Sequence, residues 1–424
     1  MNFSKLFNSI TKITETKKIA SVNISWLLAQ NAVKLIFGLT VSLYLAKYLG
    51  PEDFGVYSFG ISVLSILLLF TNLGIDPILI RELVNKKINS LILMGSSFAL
   101  TLSGGVLGFL IMGLLGYYYG FSSKIGIVIV LMSPILLLKS LNIINSYFQS
   151  SKENKYPALS NIISIIIGSS LILISIKLNF ELEYFALIYS FECILLIASL
   201  IYFYTSNNVL RKWEVSKKTS LNILKESWPL IIAGAASIIN TRIDQVYIGS
   251  MLPPSVLGNY SAAAKVSEFW LILPTVLSTV FYPILIDLRA ANFNKYKRFL
   301  FLLIISCFTF GILFSTVMTY FSQDIILMLF GEKYDLAGEY LTLYIWSTLP
   351  YFTLFILSSV TYIENLIKKN LIISGVSIFG NIILNYFFIQ FYGATGAIYA
   401  TLIVVLISYS ILAYHIFKYT KLLR

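Results

Sequence analysis

Apolar residues gather into twelve long runs along this chain, at 19–48, 55–76, 91–119, 125–149, 157–176, 184–206, 226–250, 257–286, 299–321, 338–362, 371–391 and 395–417, with short polar stretches between them. A helix needs about 20 mainly apolar residues to cross the hydrocarbon of a bilayer, and every run reaches that length. Backbone polar groups find no water inside lipid, so only helices or closed barrels span it. The pattern predicts a polytopic α-helical membrane protein with twelve transmembrane helices. Composition agrees: 58% of residues are hydrophobic and 12% charged, about half the charged share of an ordinary soluble domain.

The polar stretches alternate in charge. Cations precede the first run (Lys5, Lys12, Lys17, Lys18) and follow the second (Arg81, Lys86, Lys87) and the fourth (Lys152, Lys155). They recur after the sixth (Arg211, Lys212, Lys217, Lys218, Lys225), the eighth (Arg289, Lys295, Lys297, Arg298), the tenth (Lys368, Lys369) and the last (Lys418, Lys421, Arg424). Those intervals hold 23 of the 31 cations, whereas the others hold only Lys47, Lys124, Lys177 and Lys333 against eight acids. The positive-inside rule then places both termini in the cytoplasm. The net charge of +12 is an orientation signal that suits anionic inner-leaflet lipids. No loop is long enough for a nucleic-acid module, so nucleic acid is not an expected partner. Cys193 and Cys307 lie inside apolar runs and read as small packing residues rather than a disulfide. The first 18 residues are polar and lead into a full span, which is not the form of a cleavable signal peptide.

An internal repeat divides the chain. Pro51-Glu-Asp-Phe-Gly-Val-Tyr-Ser58 and Pro254-Ser-Val-Leu-Gly-Asn-Tyr-Ser261 share Pro, Gly, Tyr and Ser at one offset of 203 residues, at which Tyr44 also meets Tyr247 and Leu49 meets Leu252. Each copy joins the first helix of a six-helix set to the second. Parallel repeats of this kind predict two pseudo-symmetric six-helix bundles around a central cavity, with rocking of one against the other. The expected organisation is an N-terminal six-helix lobe over 1–206, a cytoplasmic linker over 207–225 and a C-terminal six-helix lobe over 226–424.

The stretch from Ile243 to Glu268, with Tyr48-Leu-Gly-Pro-Glu-Asp-Phe-Gly-Val-Tyr57, Gly74-Ile-Asp-Pro77 leading to Arg81 and Glu82, and Phe391-Tyr-Gly-Ala-Thr-Gly-Ala-Ile-Tyr-Ala-Thr401, resembles the Wzx-type O-antigen and polysaccharide repeat-unit flippases. These form part of the multidrug/oligosaccharidyl-lipid/polysaccharide exporter superfamily. The resemblance covers essentially the whole chain. It implies a multi-pass protein of the bacterial cytoplasmic (inner) membrane that moves an undecaprenyl-diphosphate-linked glycan from the inner to the outer leaflet. It also implies membrane lipids as partners, with a polysaccharide polymerase and glycosyltransferases as candidates.

A diphosphate-bearing head needs a hydrophilic, cationic passage, and ionisable side chains inside spans are costly and usually functional. Within the runs lie Lys34, Lys139, Arg242 and Lys265, and the acids Glu192, Asp244 and Glu268. Lys34 shares a polar helical stripe with Gln30 and Asn31. Asn240 and Asp244 share a stripe with Ser237 and Tyr247, while Arg242 and Asp244 point about 200° apart on the helix wheel. Arg242 suits phosphate because its planar fork bonds two oxygens at once. Lys265 and Glu268 stand one turn apart, where mutual neutralisation is the expected arrangement. Expected substrate-binding residues are thus Lys34, Arg242, Lys139, Asn31, Gln30, Asn240 and Lys265, and the candidates for ion coupling are Asp244, Glu192 and Glu268. Pro134, Pro229 and Pro274 are expected to kink their helices, and the glycines at 104, 105, 108, 113 and 116 to give close helix packing.

No Walker-type phosphate loop, metal-ligand spacing or nucleophile–base arrangement occurs, so neither a cofactor, a metal nor an enzymatic activity is expected. Two other readings remain: a cation-coupled multidrug exporter, which would need an acid-dominated lumen, and a non-transporting membrane scaffold for polysaccharide assembly.

Overall fold

A computed structural model describes residues 3–206 and 212–420, with side chains for 22–206, 212–366 and 369–420. Lys5, Lys12, Lys17, Lys18, Arg211, Lys368, Lys421 and Arg424, and residues 207–211 of the expected linker, therefore fall outside the described side chains. Among the described residues the regular structure is entirely helical, in chain order α1 (Phe3–Asn72), α2 (Asp76–Asn85), α3 (Ser90–Tyr119), α4 (Lys124–Met132), α5 (Pro134–Leu138), a 3₁₀ turn (Lys139–Asn142), α6 (Ile143–Ser150), α7 (Lys155–Lys177), α8 (Leu182–Ser206) and α9 (Lys217–Met251). Then follow α10 (Pro254–Trp270), α11 (Ile272–Ala291), α12 (Phe293–Tyr320), α13 (Ser322–Phe330), α14 (Ala337–Thr348), α15 (Tyr351–Ile363), α16 (Ile367–Tyr392) and α17 (Ala394–Thr420).

Each apolar run of the sequence is occupied by helix. Ten stretches among the described residues are long and apolar enough to cross a membrane, the first running through 64 residues from Val22 to Asn85. That stretch holds three successive helices, because Gly50 adopts φ 71 and ψ 175 and interrupts the α1 ladder before Pro51, and α2 follows after a turn at 73–75. A residue preceding proline is pushed out of the α region, and a positive φ favours glycine. The break therefore follows from the Gly-Pro pair. The segment Lys217–Met251 is not among the ten: Asn240, Thr241, Arg242, Asp244 and Gln245 place a polar patch in the middle of α9.

Several spans are broken where proline removes a backbone donor. The fourth divides at Ser133–Pro134, the eighth at Leu271 just before Pro274, and the tenth at Leu349–Pro350. Pro229, by contrast, lies inside continuous α9, so the kink expected there is not a break in the helix. Helix α9 also starts at Lys217, inside the stretch expected to be linker. Two short helices, α2 and α13, lie outside the apolar runs.

The chain forms two compact units, residues 1–45 with 67–231 and residues 46–66 with 232–424. In the first, the glycines of α3 admit neighbouring backbone. A Cβ on Gly104 would strike the Phe70 carbonyl, and one on Gly105 the Leu136 carbonyl. Gly113 has open space instead, so the expected packing face uses only part of the glycine series. The residues before α9 are anchored rather than loose. Trp213 packs its ring 5.4 Å from Phe98 and donates through Nε1 to the Tyr204 hydroxyl at 3.0 Å.

In the second unit, Leu285, Tyr296, Leu300, Ile304, Ile356, Leu357, Leu412 and Ile416 form a buried core contributed by α11, α12, α15 and α17. The repeat noticed in the sequence has a reciprocal structure here. A Cβ on Gly55 would overlap the Pro254 carbonyl, and a Cβ on Gly258 would overlap the Pro51 carbonyl. Both helices begin with proline, at Pro51 and Pro254, so each glycine sits one turn inside its own helix against the first residue of the other. This is a two-fold crossing at the offset of 203 residues read from the sequence. Beyond it, Ser62 donates to the Gln245 side-chain oxygen at 2.8 Å, both buried. Ser62→Ala strands that oxygen without a donor, and a loss of about 1 kcal/mol in thermal unfolding is expected.

Candidate functional site

The ionisable side chains expected within the spans fall into two clusters, one in each unit. In the first unit, Gln30 is half-buried and Asn31 and Lys34 are exposed on α1. Lys139 opens the 3₁₀ turn that follows α5, and Glu192 lies on α8. Pro134 starts α5, and the tightening of the chain from α5 into the 3₁₀ turn sets the direction of Lys139. Glu192, which has no partner visible in sequence, lies within electrostatic reach of Lys139 most strongly and of Lys34 next. Gly168 of α7 leaves room for it: a Cβ there would stand 2.8 Å from Oε2 of Glu192. Among the described residues no carboxylate reaches ion-pair distance of Lys34 or Lys139. Two ammonium groups thus share the influence of one acid and neither is tied to it.

In the second unit the pairing differs from expectation. Glu268 of α10 is held by Arg242 of α9, with Nη1 and Nη2 donating at 3.5 and 3.4 Å to its two oxygens. The expected Lys265–Glu268 pair does not form a contact ion pair. Lys265 instead places its ammonium 5.0 Å from the centroid of the Phe54 ring. The side chains of Arg242 and Glu268 keep 29% and 25% exposure, so their pair remains accessible. Asp244 is buried and receives hydrogen bonds from the Tyr260 hydroxyl and, at 2.7 Å, from the Gln245 backbone N–H. Arg242 and Asp244, although about 200° apart on the helix wheel, both meet α10, the first at Glu268 and the second at Tyr260.

Asn240 faces a third helix. Its side-chain oxygen accepts from Ser377 Oγ at 2.9 Å and from Asn381 Nδ2 at 2.7 Å, and Asn385 Nδ2 donates to the Asn381 carbonyl at 2.9 Å. Tyr247 stacks edge-on against Tyr386, ring centroids 6.1 Å apart. The polar stripe of α9 is therefore shared between α10 and α16. Ser377, Asn381 and Asn385 were not singled out in the sequence, although their spacing of four within an apolar run is a readable signal. Phe54, Tyr260 and Gln245 lie inside the motifs quoted from the sequence, but nothing in those motifs says which side chain each one meets.

Near the start of this cluster, Tyr334 donates its hydroxyl to the Ala46 carbonyl at 2.6 Å and sets its ring edge-on to Phe54, centroids 6.3 Å apart. Burial pushes the Tyr334 phenol above its ordinary range. The two cysteines are buried and free, Cys193 in the first unit and Cys307 in the second.

A family model described as polysaccharide biosynthesis protein matches residues 21–289, and a second, MatE, matches 229–387. Among solved structures, the chain is similar to one titled lipid II flippase MurJ in an inward closed conformation, with 20% identity, coverage of 93% of this chain and 87% of that one, and a TM-score of 0.70. It is also similar to an inward-facing multidrug resistance MATE family transporter of the MOP superfamily, with 14% identity, coverage of 92% and 96%, and a TM-score of 0.69. A MOP superfamily transporter from Pyrococcus furiosus aligns with 14% identity, coverage of 96% of each chain and a TM-score of 0.57. No curated protein matches the sequence. At these identities the structural likeness concerns the fold: an all-helical, multi-pass membrane architecture shared with these transporters.

Proposed function

The chain belongs to the polysaccharide biosynthesis protein family, and on that premise we propose that it is a flippase of the multidrug/oligosaccharidyl-lipid/polysaccharide exporter superfamily. In this reading it carries an undecaprenyl-diphosphate-linked oligosaccharide from the inner to the outer leaflet of the bacterial cytoplasmic membrane by alternating access. The observation that carries the reading is the set of cations inside the spans with no contact carboxylate, namely Lys34, Lys139 and Lys265. An unpaired charge at membrane depth is costly, and an anionic head group is the natural counter-ion. Arg242, held at long distance by Glu268, offers a planar fork for phosphate oxygens. Lobes over 1–206 and 226–424, joined through 207–225, supply the two halves of the rocking cycle.

Energetics favour this direction. An outward-moving negative charge gains about 2.3 kcal/mol per 100 mV of inside-negative potential, so a diphosphate head moves downhill without nucleotide hydrolysis. Asp244, Glu192 and Glu268 are the candidates if a cation is exchanged. A polymerase and glycosyltransferases are proposed partners, as sources and consumers of the lipid-linked unit.

The runner-up is a cation-coupled drug exporter, which the MatE match over 229–387 supports. Vesicles containing the purified protein and a labelled undecaprenyl-diphosphate sugar distinguish the two. The flippase reading expects labelled lipid to cross, with Lys34→Ala and Lys139→Ala each slowing it several-fold at unchanged protein content. Transport of organic cations without lipid movement would overturn it.

A further inference from the structure

Lys265 has an unusual seat. Its neighbour one turn on, Glu268, is engaged by Arg242, and among the described residues no carboxylate lies at ion-pair distance of the Lys265 ammonium. The group that does hold it is the face of Phe54, at 5.0 Å from the ring centroid. Phe54 is itself fixed. It is 1% exposed, and its ring meets the edge of Tyr334, whose hydroxyl is tied to the Ala46 carbonyl. The next residue, Gly55, is locked in the reciprocal crossing with Pro254. The ring is therefore placed by a rigid corner rather than by a free rotamer.

The chemistry of the seat matters. A carboxylate partner would hold an ammonium and also cancel its charge, so an incoming phosphate would first have to displace it. An aromatic face attracts the ammonium through the ring quadrupole but carries no net charge. The ring thus sets the ammonium's position in advance without adding a negative charge to its seat, and preorganisation of that kind raises affinity by lowering the ordering cost of binding.

We infer that Phe54 is a positioning residue that holds the Lys265 ammonium, without a contact carboxylate, for the phosphate groups of a polyprenyl-diphosphate head. The inference rests on the reading of Lys265 as a head-group cation. It adds a residue from the first copy of the repeat to a cluster otherwise built from the second.

The test uses the full-length protein in lipid nanodiscs and undecaprenyl diphosphate as the probe. Phenylalanine at position 54 is replaced by its mono-, di- and trifluorinated analogues, which keep the ring's shape but progressively weaken its quadrupole. Probe affinity is expected to fall stepwise, to about 3- to 10-fold weaker at the trifluorinated ring, as loss of a partly buried cation–π contact implies. The same series in a Lys265→Met background is expected to be flat. A flat series in the Lys265-containing protein, with Lys265→Met itself weakening binding, overturns the positioning role and leaves the flippase reading standing. If Lys265→Met binds the probe as tightly as the parent, the assignment of Lys265 to the head group fails as well. A purely structural role for Phe54 would give equal losses in both backgrounds, which also refutes the inference.

Discussion

Gly55→Ala and Gly258→Ala are each expected to destabilise the second unit, although an alanine inside a helix ordinarily adds about 0.5–1 kcal/mol relative to glycine. The sign reverses because each new methyl would overlap a backbone carbonyl, that of Pro254 or of Pro51. A carbonyl at the first turn of a helix cannot rotate away as a side chain can. Overpacking of this kind costs on the order of 1–3 kcal/mol, more than the helix-propensity gain, so the melting temperature falls in both variants. The two glycines form one crossing, so the losses should not add. Once one methyl has parted the helices, the second meets less resistance, and the double variant should lose less than the sum of the singles. Strict additivity in thermal unfolding, or a rise in stability for either single variant, would disprove the reciprocal contact.

The other large effect is expected at Arg242. Its removal does two things that must be separated. Arg242→Ala leaves the Glu268 carboxylate, whose side chain is 25% exposed, without its guanidinium. Breaking a fully buried pair costs about 3–5 kcal/mol, and partial exposure brings this case below that range. The same change removes the fork proposed to hold phosphate. A double variant, Arg242→Ala with Glu268→Gln, deletes both charges, so stability and membrane abundance should recover while lipid translocation stays at least about tenfold below the parent, the loss expected when one charge-assisted hydrogen-bonding group is removed. If translocation recovers together with stability, Arg242 is a structural partner of Glu268 and not a ligand of the head group.

How much of this could be read from the residues alone varies with the range of the interaction. The runs of apolar residues reported helices because lipid forces every backbone group to bond within its own segment. The break at Gly50–Pro51 is equally local. The Pro274 and Pro134 interruptions follow from a missing N–H four residues after a carbonyl. The division at Pro350 obeys the same rule but lies inside a run that reads as one continuous span. The paired repeats at Pro51 and Pro254 were visible as a spacing, yet nothing in that spacing says that Gly55 and Gly258 each touch the other's proline.

Partners were the part that sequence distance concealed. Lys265 and Glu268 are neighbours on one helix, and proximity suggests that they neutralise each other. Arg242, on a different helix, takes Glu268, and Lys265 turns to a ring more than two hundred residues earlier in the chain. Glu192 reads as solitary until folding brings it within the field of Lys139 and Lys34. Arg242 and Asp244 read as divergent from the 3.6-residue turn, yet both meet α10, because Tyr260 and Glu268 stand about two turns apart on it and take them separately.

Primary structure by itself determined the membrane-crossing helical character, the 203-residue repeat and the identity of the ionisable residues within the apolar runs, since each depends on composition and spacing along the chain. Tertiary structure alone decided which cations remain without a carboxylate, which ring seats Lys265, and which glycines face a carbonyl. Those outcomes depend on distances of a few ångströms between segments far apart in the chain, and no periodicity within a segment encodes them.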